Sequence, residues 1–348
     1  MINRRAFTDL IKFGLASVQK SEPHISEWEK RAAGMKSKTS RVTYHKLAGI
    51  RIPDYVPGIF AALILFLGFP FVVQSQQSAE ITTEEVADGR YVLFGRGGNI
   101  LASIGDQGVL IVDSQFPDMV PKYQSTIQSL GGGGIDFTIN THWHYDHADG
   151  NELLGEAGSW VIAQRHSRDM MTQFNTIDTV TNPLVEQEPY DPVGLPVAAF
   201  ETRMEMFFNG EQIDLIHAGP AHTMGDAAVY FRDANVVHMG DVYNNAGYPF
   251  IDAANGGSIE GVIAFCEAIL QEINPGTVVV PGHGPVASYD DLAEYITMLT
   301  EIRGNMMALI GQGATLEEVL AARPTANWDD KKGDPTRLVD RAYLSLTR

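Results

Sequence analysis

Between His142 and His147 the chain reads His142-Trp143-His144-Tyr145-Asp146-His147, three histidines and a carboxylate within a single short turn of chain. No other stretch restricts the fold so strongly. An apolar run, Phe137-Thr138-Ile139, precedes it and reads as a buried strand. His142, His144 and Asp146 alternate, so they cannot lie on one face of a helix. On a tight loop leaving a strand, two such sets of side chains can converge on two points. Clustered imidazoles have no structural role of their own, and imidazole nitrogen and carboxylate oxygen are the ligands zinc takes when thiolates are absent. The loop therefore reads as a metal site.

The rest of the composition narrows the partners. The chain has 348 residues and a formal net charge of −18, unevenly placed. Residues 1–78 carry a net +6, so the remainder carries −24. An acidic body repels phosphate backbones and counts against nucleic acid as partner or substrate, leaving a small molecule. Cys266 is the sole cysteine and sits in a helical pattern with Ile263, Phe265, Ala268 and Ile269, which makes it a core thiol.

The N-terminus is a separate object, a leader over residues 1–78. From Tyr55 to Ala79 there is no charge, and Lys36, Lys38, Arg41, Lys46 and Arg51 lie upstream. Basic flank, short apolar core and a polar Gln/Ser run read as a secretory signal, with Val73 and Ser75 suiting the cleavage positions. Retained instead of cleaved, residues 56–73 would anchor the body outside a membrane. Export to the periplasm or the extracellular space is the expectation, and Met35 offers an alternative start.

The catalytic body is expected over residues 79–312. Tyr91–Phe94, Asn99–Ile104 and Gly108–Val112 read as strands separated by glycines, with Asp113 ending the third. Asp118–Leu130 reads as a helix capped by Asp118. Residues 175–200 read as a long loop over one end of the fold, a candidate substrate wall. Glu211–Ile216, Val236–Met239 and Thr277–Val280 are strands, followed respectively by His222, by Asp241 and by His283. Asp290–Ile310 is a long amphipathic helix. Residues 313–348, with Leu316–Ala322 and Arg337–Leu346, read as a helical appendage beside the pocket.

His142, His144, Asp146, His147, His222, Asp241 and His283, in that order and after strands, resemble the metallo-β-lactamase superfamily over roughly residues 85–310. The resemblance implies an α/β (α+β) fold, the four-layer αβ/βα sandwich, with two Zn²⁺ at one edge. It assigns His142, His144 and His222 to one zinc and Asp146, His147 and His283 to the other, with Asp241 bridging. The bridging aspartate is shared with glyoxalase II-like and lactonase-like members, whereas dedicated antibiotic hydrolases carry cysteine or serine there.

Two divalent ions sharing a water would give hydroxide at neutral pH, and Asp146 could take and return its proton as the catalytic residue. The expected activity is a zinc hydrolase opening a cyclic amide, ester or thioester, with β-lactams and lactones as candidate substrates. The alternatives are a glyoxalase II-like thioesterase and a mononuclear Fe(II) persulfide dioxygenase, which needs only two histidines and one aspartate. Asp149, Thr223 and Asp226 either orient the imidazoles or cap neighbouring turns. His217 and His238 read as hydrogen-bonded core histidines. Tyr243, Asn244 and Asn245 are candidates to hold a substrate carbonyl or carboxylate, and Phe116, Trp143, Tyr145, Tyr248 and Phe250 to form a rim.

Overall fold

The computed structural model describes residues 80–180 and 184–348. The expected leader, with its basic flank, anchor span and cleavage positions, lies outside them. Among the described residues no helix is long and apolar enough to cross a membrane.

Two sheets face each other. The first has seven strands in the order β1-β2-β3-β4-β5-β6-β9. They are β1 (Thr82–Ala87), β2 (Arg90–Phe94), β3 (Ile100–Gly105), β4 (Gly108–Val112), β5 (Ile135–Asn140), β6 (Trp160–Gln164) and β9 (Ala198–Phe200). A separate hairpin, β7 (Asn175–Ile177) with β8 (Val185–Gln187), stands between β6 and β9 in sequence. The second sheet is consecutive: β10 (Arg203–Phe208), β11 (Glu211–Ile216), β12 (Ala228–Phe231), β13 (Val236–His238), β14 (Val278–Val280) and β15 (Ala287–Ser288). The helices are α1 (Val120–Ser129), α2 (Tyr145–Ala148), α3 (Asn151–Glu156), α4 (Arg165–Met171), α5 (Ile259–Glu272), α6 (Tyr289–Ile310), α7 (Leu316–Ala322), α8 (Asp329–Lys332) and α9 (Thr336–Leu346).

Each sheet is apolar on both faces, and that is what makes four layers. Val92, Leu101, Leu110, Val112 and Ile139 meet Ile213, Leu215, Val229 and Phe231 between the sheets. The outer face of the first sheet (Leu93, Ile100, Ile111) takes Val120, Tyr123 and Ile127 of α1. That of the second (Tyr230, Val237, Val279) takes α5 and the Leu292, Leu299, Ile302 and Met306 stripe of α6. The capping box that Ser288 and Asp291 form at the start of α6 fixes where this stripe begins. Val319, Leu338, Val339 and Ala342 belong to the same apolar cluster, so the C-terminal helices share a core with the sandwich.

Strand direction places the loops. β4, β5 and β6 are mutually parallel, and so are β13 and β14. β11 runs antiparallel to β12, which runs antiparallel to β13, so β11, β13 and β14 point the same way. Their carboxyl ends share an edge with those of β4 and β5. Backbone bonds from Asn99 N to Gly282 O (2.7 Å) and from Ala227 N to Thr141 O (2.7 Å) join the two sheets there.

Two expectations need correcting. Residues 175–200 are not one loop: they contain the β7–β8 hairpin and β9. Three-residue strands are too short to show an alternating pattern. Asp118 does not cap α1; the chain enters through a 3-10 turn at Pro117–Met119, and Asp118 pairs with Arg96 instead. After His144 the chain forms two short helices, with His147 inside α2.

Candidate metal centre

All seven residues come together at that edge. His142, His144 and His222 offer ligand atoms within 4.8 Å of one another, as do Asp146, His147 and His283, and as do His142, His147 and Asp241. Asp241 lies between the first two sets: its Oδ1 is 3.0 Å from His147 Nε2 and 3.3 Å from His283 Nε2, and its Oδ2 is 3.8 Å from His222 Nε2. Asp146 Oδ2 is 3.2 Å from His283 Nε2.

The far nitrogen of four imidazoles is tied down, which decides where their lone pairs point. Asp113, buried at the end of β4, is the main organiser. Its carboxylate accepts from Thr141 N (2.7 Å) and Thr141 Oγ1 (2.8 Å), and its Oδ2 lies 2.7 Å from His147 Nδ1. With the Thr141 proton committed to Asp113, His142 Nδ1, 3.1 Å from Thr141 Oγ1, must be the donor of that bond. His144 Nε2 donates to Asp252 Oδ2 (2.9 Å) and His222 Nδ1 to the carbonyl of Phe250 (2.8 Å). The opposite nitrogens of these rings converge. His142 Nε2 is buried with no hydrogen-bond partner, and His144 Nδ1 faces His222 Nε2 at 3.0 Å. Two imidazole lone pairs at that distance repel unless a cation lies between them. The donors are nitrogen and oxygen only, since Cys266 is buried in the core of the second sheet. The residues thus fit a borderline divalent cation.

The electrostatics agree. Burial lowers His142 and His222, the latter to about 4, and the neighbouring imidazoles add to it. Burial alone would also lower His283, but Asp241 and Asp146 outweigh it and raise the ring to about 10. His147 is raised well above its ordinary value in the same way, burial being overcome by Asp241, Asp113 and Asp146. Burial would raise Asp241, yet His283 and His147 hold it well below the usual carboxylate range.

Two glycines make room for this packing. A Cβ on Gly98 would lie 2.2 Å from His147 Cε1, and one on Gly282 would lie 2.0 Å from Asp241 Oδ1. Asp226 accepts from Thr223 N, Thr223 Oγ1 and Ala221 N, fixing the loop that carries His222. Burial raises Asp226 to about 7 despite those bonds. Asp149 touches none of the seven; it accepts from the Tyr190 hydroxyl (2.7 Å) beside a neighbouring cavity. His238 bonds the Asn99 carbonyl and His217, just beyond β11, that of Asp226.

A cavity of about 310 Å³ opens onto the cluster, lined by His144, Tyr145, Asp146, Asp241, Asn244, Phe250, His283 and, from α9, Arg337. Of the expected rim, Tyr145 and Phe250 line it. Trp143 is wholly buried in a small core with Met171 and Ile177. Tyr243 is buried against Tyr295 and does not reach the cavity, and Tyr248 bonds Thr325 and Asp329 instead. Asn245 turns away to the Pro285 carbonyl, and Phe116 packs on Tyr145 beneath Arg96. Asp113, Asp252 and Arg337 were not expected at the site.

A sandwich of two sheets between helices, with a histidine–aspartate cluster at the sheet edge, defines a metal-binding αβ/βα protein. The model of the metallo-beta-lactamase superfamily matches residues 95–299, and the chain belongs to that superfamily. Among solved structures, the DIM-1 metallo-beta-lactamase superposes with a TM-score of 0.52 at 16% identity, covering 64% of this chain and 97% of that one. The metallo-beta-lactamase from Pontibacter korlensis gives 0.52 at 16% identity, over 64% and 99%. A curated relative, the α subunit of 2,4-dinitroanisole O-demethylase from Nocardioides sp. (strain JS1661), is 26% identical over 172 residues, 46% of each chain. The match spans about half the length of that relative.

Proposed function

We propose that the chain is a hydrolase that uses two zinc ions to open a cyclic amide, ester or thioester. The observation that carries this is the orientation of the imidazoles: four far nitrogens are anchored, and the near ones converge on two sets of donors with Asp241 between them. His142, His144 and His222 would hold one ion, and Asp146, His147 and His283 the other. Such ions, when bound, activate water at neutral pH and polarise a carbonyl. The chain supplies the rest. Asp113 and Asp252 hold the rings in place, and Tyr145 and Phe250 give the substrate an apolar wall. Asp146, on the cavity surface, is placed to accept the proton of the attacking water and return it to the leaving group.

The demethylase relative favours a second reading on the same site, cleavage of an activated aryl methyl ether. The test is purified full-length chain, assayed for metal content and on a panel: a chromogenic cephalosporin, acyl-homoserine lactones, acyl-glutathione thioesters and 2,4-dinitroanisole. His144→Ala and Asp146→Asn should abolish every activity found. One iron per chain, with persulfide oxidation and no hydrolysis, would replace the proposal with a dioxygenase.

A further inference from the structure

Helix α9 is tied to the walls of the cavity. Arg341 donates to Asp178 (3.0 Å), just beyond β7, and Arg348 bonds the carbonyl of Ala253, next to Asp252. Arg337 lies one turn before Arg341 and so shares its face of the helix. Its guanidinium stands 4.8 Å from the centroid of the Phe250 ring, and it lines the cavity together with Asp146, Asp241 and His283. Among the described residues it is the only lysine or arginine to do so.

Among the described residues this cation has no paired anion. Arg337 Nε is buried without a hydrogen-bond partner. Among the described residues no carboxylate forms an ion pair with it, although Arg341 on the same helix pairs with both Asp178 and Asp340. In so acidic a body, a half-buried arginine held by ring stacking alone is unusual. A guanidinium presents a planar fork of donors that matches a carboxylate in two parallel bonds. The other lining groups suit a neutral apolar body and the cluster's own chemistry, so no complementary group faces it among the described residues.

We propose that Arg337 selects the substrate: it holds a carboxylate that the substrate carries, while the bond to be cleaved faces the histidine cluster. The residue comes from a helix beyond residues 95–299, the region that matches the family. The turnover part of the proposal rests on the hydrolase reading; the binding part does not.

The test uses the zinc-loaded full chain and two readouts. The first is kinetic, on a chromogenic cephalosporin and its carboxylate methyl ester. Arg337→Ala should raise KM for the acid roughly tenfold or more, as expected for loss of a charge-assisted pair, with kcat little changed and the ester unaffected. Arg337→Lys should recover part of the loss. The second is calorimetric titration with terephthalate, which Arg337→Ala should weaken by a similar factor. If Arg337→Ala proves unstable, Arg337→Gln should give the same result. Weakened terephthalate binding in a protein that hydrolyses nothing keeps the carboxylate subsite and removes the hydrolase reading. Hydrolysis with equal effects on acid and ester, or unchanged terephthalate affinity, overturns the subsite and leaves the hydrolase.

Discussion

Asp252 Oδ2 lies 2.9 Å from His144 Nε2, and both side chains are almost wholly buried. The bond turns the opposite nitrogen of His144 toward His222, and burial of Asp252 is outweighed by His144, which keeps the carboxyl below its ordinary range. Asp252→Ala should therefore weaken metal binding by roughly 10- to 100-fold without removing a ligand. Competition with a chromophoric chelator measures this. Unchanged affinity would mean that packing alone orients the ring.

Gly98 gives a sharper test of the second donor set. Because its Cβ would fall on the His147 ring, Gly98→Ala should displace that imidazole and leave His142, His144 and His222 in place. The expected outcome is loss of about half the bound metal and most of the activity. Full metal content in the variant would show that the ring has room to move.

Metal binding should release protons. A ring raised to about 10 is charged in the metal-free protein below that pH, yet a ligating imidazole must be neutral. At neutral pH, loading must then expel a proton from His283, and a further one from His147, whose ring is also raised. Release should diminish as pH rises towards that of free His283. Calorimetry in buffers of different ionisation enthalpy counts the protons; no release at neutral pH would contradict a charged His283 in the metal-free protein.

Much of this site is legible in the sequence, and the exceptions have a common cause. The seven converging side chains each follow an apolar strand, and strand ends at one edge meet. Asp113 also follows a strand, but a carboxylate after an apolar run looks the same whether it ends a turn or steadies a ligand. Its positive φ of 67° is invisible in the sequence. Asp252 reaches His144 across 108 residues, and Arg337 comes from a helix whose own pattern signals only burial. Strand β10 is hard to see in the sequence because its outward face carries Arg203, Glu205 and Phe207, a mixture that hides the alternation.

Away from the histidine cluster, Arg90 on β2 and Glu211 on β11 staple the two sheets. Arg90 Nε donates to Glu211 Oε1 at 2.8 Å, and Glu211 Oε2 accepts from Ala234 N at 3.1 Å. Removing one partner strands a buried charge, so Glu211→Ala should cost about 3–5 kcal/mol. Urea unfolding reads the loss, and metal content should not change.

On the proposed reading, two sets of donors, joined by Asp241, hold two cations at once. Metal analysis of the full chain after reconstitution with zinc tests it most directly. Two tightly held zinc ions per chain, falling to one or fewer in His283→Ala, are the predicted result. A single ion in the native chain, unaffected by His283→Ala, would contradict it.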